Sequence, residues 1–280
     1  MKTTHVVFVI DRSGSMSSTA EEAVNNYNDQ VRLFKKMAEE TAGTAEVKVS
    51  LITFATEVFE HLWEVPASDL QECKQGDFNA DGWTAMLDGI GYSIEKLRET
   101  TNYNDPDNNY IFVIVTDGQE NKSSHYKWVQ EHLTEAQIKA GQKPDPRLPL
   151  DELMKPLEAS GRWTFSFMGC DRHYLTEAAA ALNVPMANVA LWDNKTVKGA
   201  RTGHRNSSKR VYAAALNMVR GIGGSSCKNM YSDSDECLAD YASADSADLD
   251  KSIDVDTPAV SCSTGGAAVF STGAKAAWKS

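Results

Sequence analysis

Residues 6–15 read VVFVIDRSGS, and this stretch decides the fold. Val6, Val7, Phe8, Val9 and Ile10 are apolar at every position, which suits a strand buried on both faces of a parallel sheet, since a strand with one wet face would alternate. The run stops at once in Asp11, Ser13 and Ser15, three oxygen-bearing side chains on one tight turn. In open α/β folds ligands collect beyond the carboxyl ends of the strands, so the turn is a candidate seat for a hard divalent cation. Three oxygens rarely hold such an ion alone, and further donors must arrive from elsewhere.

Two segments can supply them. Asp81, Gly82, Trp83 and Thr84 lead into a helix whose Leu87, Ile90, Ile94 and Leu97 recur at helical spacing, and residues 110–115, YIFVIV, form a second fully apolar strand running into Thr116, Asp117 and Gly118. Asp11, Ser13 and Ser15 as DxSxS, Thr84 within GWTAMLDG and Asp117 within VTDGQEN together resemble the metal-ion-dependent adhesion site of von Willebrand factor type A domains. DxSxS alone is a weak signal and becomes strong with both partners present. The resemblance extends from residue 1 to about residue 222.

It implies a metal site made of Asp11, Ser13, Ser15, Thr84 and Asp117. The residue types suit that chemistry. A small cation such as Mg2+ takes near-octahedral oxygen coordination at about 2.1 Å and gives up its waters reluctantly. Hydroxyls of Ser13, Ser15 and Thr84 are neutral donors that leave the ion electron-poor, while Asp11 and Asp117 can hold its remaining waters. One position stays open, and in the family an acidic side chain of a partner protein fills it. The resemblance therefore implies a metal-dependent protein-binding module or adaptor whose partner offers an Asp or Glu carboxylate, with an AAA+ ATPase or an assembly component as a family-level expectation. Mg2+ is the expected ion, and oxygen donors also admit Mn2+ or Ca2+. The principal alternative is a structural component of a larger assembly such as a virus particle.

Alternating strand and helix patterns point to one α/β domain, a doubly wound, mostly parallel Rossmann-like sheet flanked by helices over residues 1–222. After the first strand, Ser18 and Glu21 have capping-box spacing, and Val24, Tyr27, Val31, Phe34 and Ala38 mark the buried face of a long helix. Residues 47–54 form the second strand and 57–65 a partner returning along its edge. An insertion at about 119–161 is expected to be helical around 125–140 and 150–159, with Gly141, Pro144, Pro146 and Pro149 breaking it between. Trp163, Phe165 and Phe167 alternate with polar residues as a half-exposed strand would. A short helix at 175–182, a strand at 189–192 and a helix at 207–219 complete the domain. From Gly223 onward Ser, Asp, Ala and Gly dominate and apolar periodicity vanishes, so residues 223–280 read as a flexible acidic tail. Such a tail reads first as merely solvating, with a tail carboxylate masking the open metal position as the lesser alternative.

The chain has 280 residues and a net charge of −11, which argues against a nucleic-acid partner because phosphate binding needs clustered Lys and Arg. The one basic concentration, Lys198 to Arg210, reads as a solvated face. Cys73, Cys170, Cys227, Cys237 and Cys262 form no CxxC pair and read as reduced thiols. No apolar run is long enough for a membrane span, so residence in a cytoplasm, or in a particle assembled there, is expected.

Asp77, Asn79, Asp81, Gly82 and Asp88 reproduce much of an EF-hand loop, but no helical stripe enters it and Thr84 already belongs to the other site. A haloacid-dehalogenase-type phosphatase would need a second carboxylate where Ser13 stands. No phosphate-binding loop or nucleophile elbow follows any expected strand. His5, His61, His125, His132, His173 and His204 show no metal or triad spacing, and no catalysis is expected.

Overall fold

The computed structural model describes residues 1–74, 79–130, 133–191, 197–221, 229–231 and 274–278, the side chains of 197–205 excepted. Its centre is a seven-stranded sheet in the order β8-β7-β4-β1-β2-β3-β9. The strands are β1 (Lys2–Asp11), β2 (Ala45–Phe54), β3 (Val58–Pro66), β4 (Asn108–Val115), β7 (Trp163–Gly169), β8 (Val189–Leu191) and β9 (Ala274–Lys275). β1 pairs in parallel with both β2 and β4, and only β3 runs against its neighbours. Chain order therefore reverses beside β1, which opens a crevice between the carboxyl ends of β1 and β4.

Side chains alternate between two layers because successive strand residues face opposite sides. Val6, Phe8 and Ile10 pack with α1 (Ala20–Glu40) and α6 (Val197–Arg220). Val7 and Val9 pack with α2 (Met86–Thr100), α4 (Leu150–Ala159) and α5 (Arg172–Ala181). Both faces are dry, which is why the central strands carry no polar alternation. Truncating a fully buried member such as Ile114 to Ala would cost about 2–5 kcal/mol. No helix among the described residues is long and apolar enough to cross a membrane.

Three local expectations change. Residues 125–140 are not a continuous helix: Tyr126–Lys127 forms β5, paired in parallel with β6 (Leu148–Pro149), and only Glu135–Lys139 is helical, as α3. The backbone N–H groups of Ser124, His125 and Tyr126 all donate to the Asp88 carboxylate, which takes up donors a helix would need. β7 is buried at every position rather than half-exposed. It lies between β4 and β8, and Ser166 donates to the Phe112 carbonyl, so its polar residues are satisfied inside. The Ser18–Glu21 capping box is absent, because the chain leaves the Ser15 turn as a 3-10 helix over Gly14–Thr19, and Thr19 becomes an N-cap without a side-chain cap bond.

Most of the tail expectation lies outside the described residues, as do residue 192, Cys227, Cys237, Cys262, Asp77, His132 and the side chain of His204. The described parts of 223–280 pack against the body: Met230 is fully buried and its N–H donates to Asn188 Oδ1, and residues 274–275 join the sheet edge. Of the described cysteines, Cys73 is buried and Cys170 partly buried.

Candidate metal centre

The crevice at the β1/β4 switch is built by three loops stitched together through the backbone. Pairing of Ile10 with Val115 brings the next residues, Asp11 and Thr116, level with each other. The DxSxS turn is fixed to the loop before α2 by Asp81 N–H donating to the Arg12 carbonyl (2.9 Å) and Gly14 N–H to the Gly82 carbonyl (3.1 Å). Gly82 has φ +82°, and a Cβ there would stand 2.5 Å from Thr56 Oγ1, so only glycine fits. Thr84 is held at both backbone ends: its N–H donates to Asn121 Oδ1 (2.9 Å), and its carbonyl accepts from Asn121 N (3.0 Å) and Lys122 N (3.1 Å).

All five sequence-derived residues come together. Asp11 is fully buried, its Oδ1 accepting from Ser13 N–H (2.7 Å) and its Oδ2 from the Thr116 hydroxyl (2.7 Å). Ser13 Oγ and Ser15 Oγ are 3.1 Å apart, and Ser15 Oγ donates to Asp117 Oδ1 at 2.7 Å. Thr84 and Ser13 are buried and Ser15 is exposed, so the cluster opens to solvent on one side. Gly118 fixes its centre: a Cβ on that residue would lie 3.2 Å from Ser15 Oγ, 3.4 Å from Thr84 Oγ1 and 3.7 Å from Asp11 Oδ2. Oxygens from the β1 turn and from the loop before α2 thus approach one point beside Gly118, and Asp117 joins them through its bond from Ser15.

The donor set fits a small cation. In an octahedron with metal–oxygen distances of about 2.1 Å, neighbouring oxygens are about 3.0 Å apart, and the Ser13–Ser15 spacing of 3.1 Å is such an edge. Burial raises the Asp11 carboxyl from 3.8 to about 6, against the bonds from Thr116 and Ser13, and Asp117 adds to the rise. Asp117 is also raised by burial, with the Ser15 hydroxyl opposing. The two carboxylates are therefore short of positive charge. Arg12 does not supply it: its guanidinium lies 4.4 Å over the Phe59 ring, and Asp81 is its charged neighbour. Among the described residues no three His, Cys, Asp or Glu side chains converge as metal ligands.

Residues 5–140 match the family model of the von Willebrand factor type A domain. The chain carries a von Willebrand factor type A domain. Among solved structures, the pilus adhesin SpaC from Lactobacillus rhamnosus GG is 14% identical with a TM-score of 0.51, over 76% of this chain and 30% of that one. A von Willebrand factor type A protein from Catenulispora acidiphila is 13% identical (TM-score 0.45, 77% and 43%). Proximal thread matrix protein 1 from the mussel byssus, with a zinc-occupied MIDAS motif, is 14% identical (TM-score 0.42, 74% and 46%). At these identities the likeness concerns the fold, and this chain spans less than half the length of each of the three. No curated protein matches it.

Sequence reasoning missed the residues that position the type A domain's donors. Thr116 holds Asp11 and also accepts from Gly118 N–H (3.2 Å). Asn121 holds Thr84. Glu120 accepts from the backbone N–H groups of Leu87, Lys122 and Ser123, tying the loop after Asp117 to the start of α2. Thr116 follows an apolar strand directly, a signal that strand register could have exposed. Asn121 and Glu120 carry no periodic signal. Asp88, the last EF-hand position in the sequence, turns to the 124–126 backbone instead.

Proposed function

We propose that this type A domain binds a divalent cation through the hydroxyls of Ser13, Ser15 and Thr84, with Asp11 and Asp117 holding its waters, and that it captures an acidic side chain of a partner protein there. The observation that carries this reading is the approach of Asp11, Ser15 and Thr84 oxygens to one point beside Gly118, with Asp117 bonded to Ser15. When bound, the cation supplies a Lewis-acid position that an incoming carboxylate can occupy. The protein's own residues do the rest. Thr116 and the Ser13 N–H keep Asp11 oriented, Asn121 fixes Thr84, and the Ser15–Asp117 bond draws the outer loops together. Mg2+ is the ion the hydroxyl-rich set suits best, with Mn2+ and Ca2+ as substitutes.

The role is binding rather than catalysis: Ser13 stands where a phosphatase would need its second carboxylate, and the residues around the centre hold and orient. The partner is a protein with an exposed Asp or Glu, and the domain itself is of the adaptor type that works beside an AAA+ ATPase.

Affinity capture with and without EDTA, using the wild-type chain and Thr84→Ala, tests the reading. A carboxylate-bearing partner should be lost on chelation and in Thr84→Ala. A partner retained under both conditions would mean that the domain serves as a scaffold through metal-independent surfaces.

A further inference from the structure

Residues 274–278 lie on the outer edge of β3. β9 pairs antiparallel with β3 at Glu60 and Phe59, and the ladder continues as Ala276 N–H donates to the Val58 carbonyl at 2.9 Å. Lys275 forms an ion pair with Glu57. Trp278 then turns into an aromatic notch, stacked on His125 with ring centroids 3.8 Å apart and planes 10° from parallel. It meets Tyr92 edge-on at 5.6 Å and Tyr126 at 6.2 Å.

The walls of that notch stand without the tryptophan. Asp88 holds the backbone of His125 and Tyr126, Tyr126 donates its hydroxyl to Glu95, and Tyr92 donates to Glu60. The occupant, by contrast, is lightly held. Its strand residues Ala274 and Lys275 are both exposed, Ala276 alone being buried, and among the described residues the ladder covers Val58, Phe59 and Glu60, three positions of the nine in β3. Residues 232–273, a connection of 42 residues, separate it from Tyr231. At about 3.3 Å per residue, contour length alone does not keep the segment at this edge.

We propose that the β3 edge with its Tyr92–His125–Tyr126 notch is a second binding surface, specific for an extended, lysine-bearing strand with an aromatic residue three positions after the lysine. Residues 274–278 are its built-in, displaceable occupant. Main-chain pairing to an exposed edge gives such a site its affinity, and the alternate side chains give it selectivity: Lys275 reads Glu57 and Trp278 fills the notch. A strand of the same chemistry in trans competes with the tethered copy for one place.

The test is fluorescence anisotropy of a labelled peptide STGAKAAWKS, residues 271–280, added to full-length chains in EDTA. Wild type should bind it weakly because its own segment competes, whereas full-length Trp278→Ala should bind it at least roughly tenfold tighter. Lys275→Glu, which repels Glu57, should behave like Trp278→Ala. The double variant His125→Ala/Trp278→Ala should lose that gain, as should a peptide with its tryptophan replaced by alanine. Equal affinity for wild type and both single variants, or no binding to either variant at millimolar peptide, would overturn the proposal. Because the measurement is made without metal, its outcome is independent of the metal-centre reading.

Discussion

The Thr116 hydroxyl donates to Asp11 Oδ2 over 2.7 Å, joining residues 105 apart in the chain at the ends of two adjacent parallel strands. Asp11 is thereby oriented by a residue that is not itself among the expected donors. Thr116→Val keeps the side-chain shape and removes the donor. It should cost about 1.5–3 kcal/mol, since the lost bond is to a buried ionised group, and should weaken Mg2+ binding about 10–100-fold. Urea unfolding in EDTA and calorimetric Mg2+ titration check both. An unchanged Mg2+ affinity would remove Thr116 from the site.

The raised Asp11 carboxyl sets a pH dependence. Its folded value of about 6 lies above the ordinary 3.8, so the metal-free fold binds this proton more tightly than the unfolded chain. The contribution favours folding below about pH 4 and is lost as pH rises from there to about 6, with a ceiling of about 3 kcal/mol. Mg2+ should therefore raise Tm most at pH 7.5 and progressively less below pH 6, and Asp11→Asn should abolish the Mg2+ effect at every pH. Thermal melts in EDTA and in Mg2+ across that range would show it. A Mg2+ increment that does not vary between pH 5 and 7.5 would contradict the assignment.

Asp88 carries the loop that follows the site. Its carboxylate accepts three consecutive backbone N–H groups, those of Ser124, His125 and Tyr126. Asp88→Ala would strand buried donors and should cost about 3 kcal/mol or more. Amide hydrogen exchange at 124–126 should accelerate well beyond that of β1. Protection unchanged at those three amides would mean that packing, not the carboxylate, holds the loop.

Gly169 ends β7 against the metal-centre loop: a Cβ there would stand 2.1 Å from the Thr116 carbonyl oxygen. Gly169→Ala should destabilise by about 1–3 kcal/mol through backbone displacement and weaken Mg2+ binding by moving Thr116. Gly161→Ala is the control, with φ +71° but nothing within 4 Å of the new atom. It should cost only about 1 kcal/mol and leave Mg2+ binding unchanged, as calorimetry and denaturant titration of the two variants would reveal.

What the sequence made legible follows from the kind of signal each feature leaves. The fully apolar runs at 6–10 and 110–115 suit strands buried on both faces, and the oxygen donors after them sit where parallel strands end. The helix of α2 shows its stripe of Leu87, Ile90, Ile94 and Leu97. The Asp11–Thr116 bond was invisible because it depends on strand register. Residues 125–128 stay out of the helix expected over 125–140 because Asp88, acting from a distance, takes the backbone N–H groups of His125 and Tyr126. β7 was judged half-exposed because Thr164 and Ser166 are polar, yet both are buried. β9 left no trace, being two residues whose placement depends on Lys275 and Trp278 finding Glu57 and His125.

The most direct test of the central claim is an anomalous difference map from a crystal of the full chain soaked in Mn2+ and measured at the manganese edge. A single peak about 2.2 Å from Ser13 Oγ, Ser15 Oγ and Thr84 Oγ1, with waters bridging to Asp11 and Asp117, is the expected result. A saturating soak that leaves those three hydroxyls without a peak would contradict it.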